Sequence, residues 1–361
     1  MPGPINDNEP QFKTIKVEKL HPTFAAEVSG VDFENLSDEQ FSEILAAMTK
    51  YGVCVFRNTG LSDAAHVSFS RRFGDLDNIK RYMIHGRKPR YDHLELFDAG
   101  NVVVEGDAGP RPLDPASSRA HANRGNGLFH ADSSFNPRRA SFSLLRAAQL
   151  PPPDTGGDTL FADSRTAAEE LDGDLAALLR AAGGLVGAHS MAHSRKLGSP
   201  EFFADLDPTR FPMVRHRILQ RHEPSGRANL YVGAHLHHIE RGPREDAAAG
   251  QRHSEEISDS WALVQRLNAH VTQDKYVVAV RWRDPSDLII WDNRAVLHRA
   301  GPGTFEGRFI RDLRRTTVHD GSPTAWGLND QTAEFSSFFT PPPVVPGVGN
   351  AQEQARPVGV R

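Results

Sequence analysis

Apolar residues at Phe41, Ile44, Leu45 and Met48 recur at helical spacing behind Ser37, and Gln40 stands three residues after Ser37 as in a capping box, so a first helix is expected there. The run Gly52 to Arg57 (GVCVFR) has no such period and reads as a buried strand. Ser62 to Phe73 returns to a helical pattern that Gly74 ends. After Phe129 the apolar runs become short and β-like, Leu288 to Trp291 among them. Helical spacing reappears only near 165–182, stopped by Gly183 and Gly184, and near 258–271, where Trp261, Val264, Leu267 and Val271 keep the period. Short strands framing a few helices predict a mainly β fold, a sandwich or open barrel with flanking α-helices.

The polar, Pro-containing residues 1–12 read as a flexible N-terminus, and 13–319 as a single domain without internal repeats. From 320 to 361, Pro341, Pro342, Pro343 and Pro346 predict an extended tail. A 361-residue chain that is 38% hydrophobic can bury a full core, which excludes wholesale disorder. Its net charge of −4, with both signs interspersed, removes the footprint of a general nucleic-acid binder. The single cysteine, Cys54, excludes an internal disulfide and any Cys-based zinc or iron–sulfur site, and fits a reducing compartment. With neither a secretory signal pattern nor a bilayer-length apolar run, the expectation is a cytoplasmic protein without membrane association. No apolar surface stripe selects an oligomeric state, so a homo-oligomer stays open.

Candidate chemistry begins at LFHADSSF. On a strand, His130 and Asp132 share one face. A third ligand is offered by LIIWDNRAVLHR, an apolar strand and polar turn leading to His298. Two histidines and one carboxylate on one face of an Fe(II) ion leave positions for a bidentate co-substrate and for O2. Other histidines (His235, His237 and His238 in GAHLHH, His189 with His193, and His253) lack a distant partner and an anion clamp. Such a clamp is offered by RFIRDLRRTT, where Arg311 and Arg315 share a strand face. A buried guanidinium is well shaped to hold a carboxylate through two parallel hydrogen bonds.

These residues resemble the family of taurine and 2,4-dichlorophenoxyacetate dioxygenases, in which H-x-D, G-G-D-T, W-D-N-R-x-x-x-H and a distal arginine follow in order. Here they are FHADSSF, TGGDTLFAD, IWDNRAVLH and the segment with Arg311 and Arg315, and the likeness runs from about Leu20 to about Val318. LFHADSSF, YVGAHLHHIE and DNRAVLHR favour the phenoxyacetate branch. The resemblance implies a double-stranded β-helix, a jelly roll, with His130, Asp132 and His298 as iron ligands and 2-oxoglutarate and O2 as co-substrates. It implies that Thr159 meets one 2-oxoglutarate carboxylate and Arg311 the distal one, with Arg315 near the substrate anion or the co-substrate's other end. Asn126 matches a polar residue beside the iron, and Lys80, Arg81, His235 and His238 are candidate contacts for a small carboxylate substrate, His237 being assigned to the other face. The stretch from His298 to Arg311, through GPGTFEG, is about two residues longer than the family pattern, so Arg308 and Arg314 also compete for the clamp. The reaction implied is oxidation of a C–H bond coupled to conversion of 2-oxoglutarate to succinate and CO2. A non-oxidative cupin-like metalloenzyme would not need Thr159 or Arg311, and an inactive binding homologue would be expected to have lost a ligand or the clamp.

Overall fold

The computed structural model describes residues 12–83, 89–106, 109–180, 184–242 and 255–332. The expectations for residues 1–11, Gly183, His253 and 333–361 fall outside them. A seven-stranded mixed sheet runs in the order Lys16–Lys19, Ala26–Ser29, Val53–Phe56, Leu288–Asp292, Ala140–Gln149, Asp312–His319 and Phe97–Asp98. Only the pairing of Ala26–Ser29 with Val53–Phe56 is parallel within it.

Val53–Phe56 and the first four residues of Leu288–Asp292 are apolar throughout because both their faces are covered. Cys54, Phe56, Leu288 and Ile290 pack towards the helices, with Ile44, Met48 and Phe69. Their neighbours Val53, Val55, Ile289 and Trp291 point the other way, onto Phe161 and Val280. Those two belong to a three-stranded antiparallel sheet ordered Val277–Val280, Thr159–Asp163 and Val296–Ala300. Another three-stranded sheet is ordered Val214–Arg217, Leu185–His189 and Leu236–Arg241.

The first helix is Asp38–Tyr51. Ser37 accepts from the Gln40 amide at 3.1 Å, but the Gln40 side chain bonds Gly30 and Asp32 instead of closing a box. Gly52 ends the helix at φ +70°, a left-handed turn that feeds directly into Val53–Phe56. The buried Arg165 donates to the carbonyls of Thr49 and Lys50 at 2.7 and 2.9 Å, occupying the negative end of that helix. The second helix is Asp63–Arg71.

The single helix expected near 165–182 is two, Ser164–Glu169 and Gly173–Arg180, because Asp172 accepts from the Leu175 amide at 2.8 Å and starts a new one. The helix near 258–271 is Ser260–Val271. Met191–Gly198 is a further helix that the pattern hid; MAHSRKLG is too polar to show a period. The folded chain also continues past 319, since Asp320 and Ala325 are buried and the Arg139 amide donates to the Ala325 carbonyl at 3.0 Å. Among the described residues no helix is long and apolar enough to cross a membrane.

Histidines buried in this core make stability depend on pH. Burial pushes His66 and His193 down to about 3 and His216 to about 4. In the unfolded chain each takes up its proton near pH 6.5, while the folded chain does not, so stability falls as pH drops below that value. At pH 5 the loss approaches about 2 kcal/mol for each such histidine. Urea unfolding of the metal-free protein is therefore expected to show a midpoint lower at pH 5 than at pH 7.5. Equal midpoints would mean that these rings titrate normally in the folded state.

Candidate active site

His130 and His298 are cross-strand partners. The His130 amide donates to the His298 carbonyl at 3.0 Å and the His298 amide to the His130 carbonyl at 2.9 Å, which sets the two rings 4.3 Å apart. His298 lies in Val296–Ala300, but His130 and Asp132 are not on a regular strand as expected. After the single bridge at His130 the chain turns, with Ser133 at φ +55°, and this turn brings Asp132 back towards the histidines. His130 Nε2 is 3.8 Å from Asp132 Oδ1, and His298 Nε2 is 3.6 Å from Oδ2. The three donor atoms lie within 4.8 Å of one another.

The donor chemistry fits a cation. His130 Nδ1 is 2.8 Å from the Leu128 carbonyl, which can only accept, so the proton sits on Nδ1 and the Nε2 lone pair is free. Burial holds both ligand imidazoles below their ordinary pKa, so both are neutral donors near pH 7. Burial alone would raise the Asp132 carboxyl, but the Arg315 guanidinium and the Ser143 hydroxyl hold it well below the usual carboxylate range. These bonds are Arg315 Nη1 to Oδ1 at 2.5 Å and Ser143 Oγ to Oδ2 at 2.7 Å.

The register of the flanking sheet brings in the next group. His298 pairs with Phe161 and Ala300 with Thr159, so Thr159 lies on the face that carries His298, one strand repeat along. Thr159 is buried, and its hydroxyl accepts from Trp282 Nε1 at 3.2 Å. Just upstream, the Gly157 carbonyl accepts from Arg311 Nη2 at 2.7 Å. Gly157 has φ +88°, and a Cβ there would stand 3.0 Å from Arg311 Nε, so glycine lets the guanidinium lie flat against this turn.

Arg311 is buried, and among the described residues no carboxylate lies within ion-pair distance of it. Burial lowers its pKa to about 10, Asp158 opposing. The competing arginines are placed elsewhere: Arg314 pairs with Asp63 and Asp312, and Arg308 lies over Phe309.

The remaining candidates divide. His235 is buried, its ring 5.4 Å from His130 and 4.8 Å from Phe135, and burial drives its pKa well down, so it is a neutral imidazole beside the metal ligands. His238 is committed elsewhere, with Nε2 2.9 Å from Glu240 Oε1 and Nδ1 2.8 Å from His237 Nδ1. His237 is therefore not on the opposite face; a bulge between Leu236 and His238 brings the two rings together. Asn126 is exposed on the short 3-10 helix Arg124–Gly127, and Lys80 is exposed on the 3-10 helix Ile79–Tyr82, where Arg81 lies 3.3 Å from Asp77. Sequence reasoning missed Ser143, Asn293 and Trp282, all hydrogen-bonded to the candidate ligands or to Thr159. Only Asn293 had a local signal, inside W-D-N-R.

A centre of two neutral histidines and one carboxylate, with a buried guanidinium nearby that has no carboxylate partner among the described residues, defines a metal-dependent enzyme that takes an anionic co-substrate. The family model described as taurine catabolism dioxygenase TauD, TfdA family matches residues 16–317. The chain belongs to that family, in its phenoxyacetate branch, and is a 2-oxoglutarate-dependent dioxygenase. It is 34% identical over 310 residues, 85% of this chain and 98% of the relative, to an alpha-ketoglutarate-dependent 2,4-dichlorophenoxyacetate dioxygenase of Cupriavidus pinatubonensis. It is 29% identical over 299 residues to the (S)-phenoxypropionate/alpha-ketoglutarate-dioxygenase of Delftia acidovorans, covering 81% of this chain and 91% of that one. The solved structure of AAD-2 in complex with Mn(II) and N-oxalylglycine is similar at TM-score 0.68 and 33% identity, over 86% of this chain and 99% of that one.

Proposed function

We propose that this protein is an iron(II) oxygenase that couples conversion of 2-oxoglutarate and O2 into succinate and CO2 to oxidation of a C–H bond in a small organic carboxylate. The observation that carries this reading is the buried Arg311, without a carboxylate partner among the described residues, beside the sheet face shared by Thr159 and His298. A cation kept out of water at a cost in free energy is explained when a carboxylate arrives to neutralise it.

His130, Asp132 and His298 would hold the iron, which when bound supplies the site where O2 is activated at the expense of 2-oxoglutarate. Arg311 binds the distal carboxylate of the co-substrate, and Thr159 donates its hydroxyl proton to a carboxylate oxygen. That donation is open because the Thr159 oxygen already accepts from Trp282. Neutral His130 and His298 keep their lone pairs for the metal, and burial of the centre excludes water. Among the described residues the polypeptide forms one catalytic unit, and a double-stranded β-helix is the architecture that best accounts for its paired sheets.

Substrate recognition falls to groups on the open side of the metal. His235 offers a neutral hydrogen-bonding ring next to His130, and the Arg315 guanidinium, 5.4 Å from the Phe97 ring, offers charge beside an aromatic wall. The relatives named for 2,4-dichlorophenoxyacetate and phenoxypropionate support an aryloxy carboxylate or a molecule of similar shape. Lys80, Asn126 and His238 are outer candidates. A single buried cysteine is consistent with work in the cytoplasm.

The test is anaerobic addition of Fe(II) and then 2-oxoglutarate to metal-free protein. The weak visible charge-transfer absorption of a metal-chelated keto acid is expected, and it is expected to weaken in His130→Ala and Arg311→Ala. Tight metal binding without that absorption would instead support a non-oxidative metalloenzyme.

A further inference from the structure

We infer that Asn293 and Ser143 form a positioning relay that sets the orientation of the Asp132 carboxylate and thereby the affinity of the site for its metal. This rests on Asp132 being a metal ligand, and it concerns two residues that would touch neither metal nor substrate.

The hydrogen bonds leave one consistent arrangement. The Asn293 side-chain oxygen is 3.0 Å from the Asp132 backbone N–H and 3.0 Å from Trp291 Nε1, both of which can only donate. That fixes which end of the amide is oxygen, so its nitrogen must face the other way. The nitrogen donates to the Ser141 carbonyl at 3.2 Å and to Ser143 Oγ at 3.0 Å. Having accepted from Asn293, the Ser143 hydroxyl turns its proton to Asp132 Oδ2 at 2.7 Å. All four positions of the amide are used, and Asp132, Ser143 and Asn293 are all buried.

The geometric consequence concerns the lone pairs. The Ser143 proton takes one on Oδ2, and Arg315 takes one on Oδ1. Each oxygen then keeps one for a cation, and the carboxylate cannot rotate without breaking a bond at both ends. The amide also pins the main chain of Asp132 at the irregular turn where no strand pairing holds it. The relay therefore replaces, at the ligand, the ladder bonds that hold His298 in its strand.

Supporting residues of this kind change metal affinity by roughly 10- to 100-fold. Mn(II) binding to metal-free protein, followed by the electron paramagnetic resonance of the free ion, is expected to weaken by a factor in that range in Ser143→Ala, while the thermal midpoint without metal stays close to wild type. Ser143→Thr keeps the hydroxyl and is expected to restore most of the affinity. Asn293→Ala is expected to weaken binding at least as much, since it loses the bond to the Asp132 backbone as well, and Asn293→Ala with Ser143→Ala less than the product of the two single losses, because Ser143 is aimed at Oδ2 by Asn293. Wild-type affinity in Ser143→Ala, or a loss that Ser143→Thr fails to restore in a protein of unchanged midpoint, overturns the relay. Absence of Mn(II) binding by the wild-type protein would overturn the metal site itself, a result separable from either.

Discussion

Asp132→Ala is expected to lose metal affinity by more than the roughly 100-fold ceiling typical of a supporting residue, and to yield no measurable succinate. Three elements converge on this one residue: Ser143 and Arg315, from adjacent strands of the large sheet, hold its carboxylate, and Asn293, from the turn before His298, holds its backbone N–H. Removing the carboxylate leaves two neutral imidazoles and, beside them, an uncompensated guanidinium that repels a cation. The variant thus changes the local charge from favourable to unfavourable as well as removing a ligand. Asp132→Glu is not expected to rescue it, because the longer side chain moves the carboxylate off both the Ser143 hydroxyl and the Arg315 guanidinium. The measurement is Mn(II) or Fe(II) titration followed by succinate assay, and undiminished binding in the alanine variant would place the metal elsewhere.

The second large effect is expected at Arg311. Truncating one member of a buried, hydrogen-bonded charge pair costs about 2–5 kcal/mol in binding, which corresponds to a rise of roughly 30-fold to several-thousand-fold in the half-saturating 2-oxoglutarate concentration for Arg311→Leu. Metal affinity should change little, since Arg311 bonds Gly157 and not the ligand triad. Stability should move the other way. The buried guanidinium has no carboxylate partner among the described residues, and its depressed pKa records the cost of keeping it charged, so the metal-free leucine variant is expected to melt no lower than wild type. Binding weakened without loss of stability distinguishes a co-substrate clamp from a structural arginine. If Arg311→Leu melts well below wild type while retaining normal 2-oxoglutarate dependence, the clamp assignment fails.

What could be read from the sequence was what is local. The three metal-ligand candidates, the glycine turn before Thr159 and the distal arginines each lie in short motifs whose residue types state their chemistry. Helix starts were legible where a serine cap precedes an apolar stripe, as at Ser37, and illegible where the helix is polar, as in Met191–Gly198. The strand assumed under His130 and Asp132 is a turn, because hydrophobic alternation cannot reveal a single left-handed residue at Ser133. A one-residue bulge likewise reversed the side on which His237 was expected. Ser143 was invisible for another reason: nothing near it in sequence needs a hydroxyl, and its partner Asp132 reaches it from the turn after His130. Arg315 also makes a bond that its motif could not show, the one to Asp132.

The main-chain bridge between His130 and His298 also carries a message about timing. The two ligands are separated by nearly half the polypeptide and lie on opposite sides of a middle segment built of strands and helices, so their pairing is a contact of very long sequence separation. Such contacts form late, after the loop-closure entropy has been overcome. A ribosome-bound chain that has exposed His130 and Asp132 but not yet the last third of the protein presents only two of the three ligands. Capture of a metal by all three is thereby expected only once synthesis has passed His298 and the final strands have closed, and a product that stops earlier lacks the third ligand.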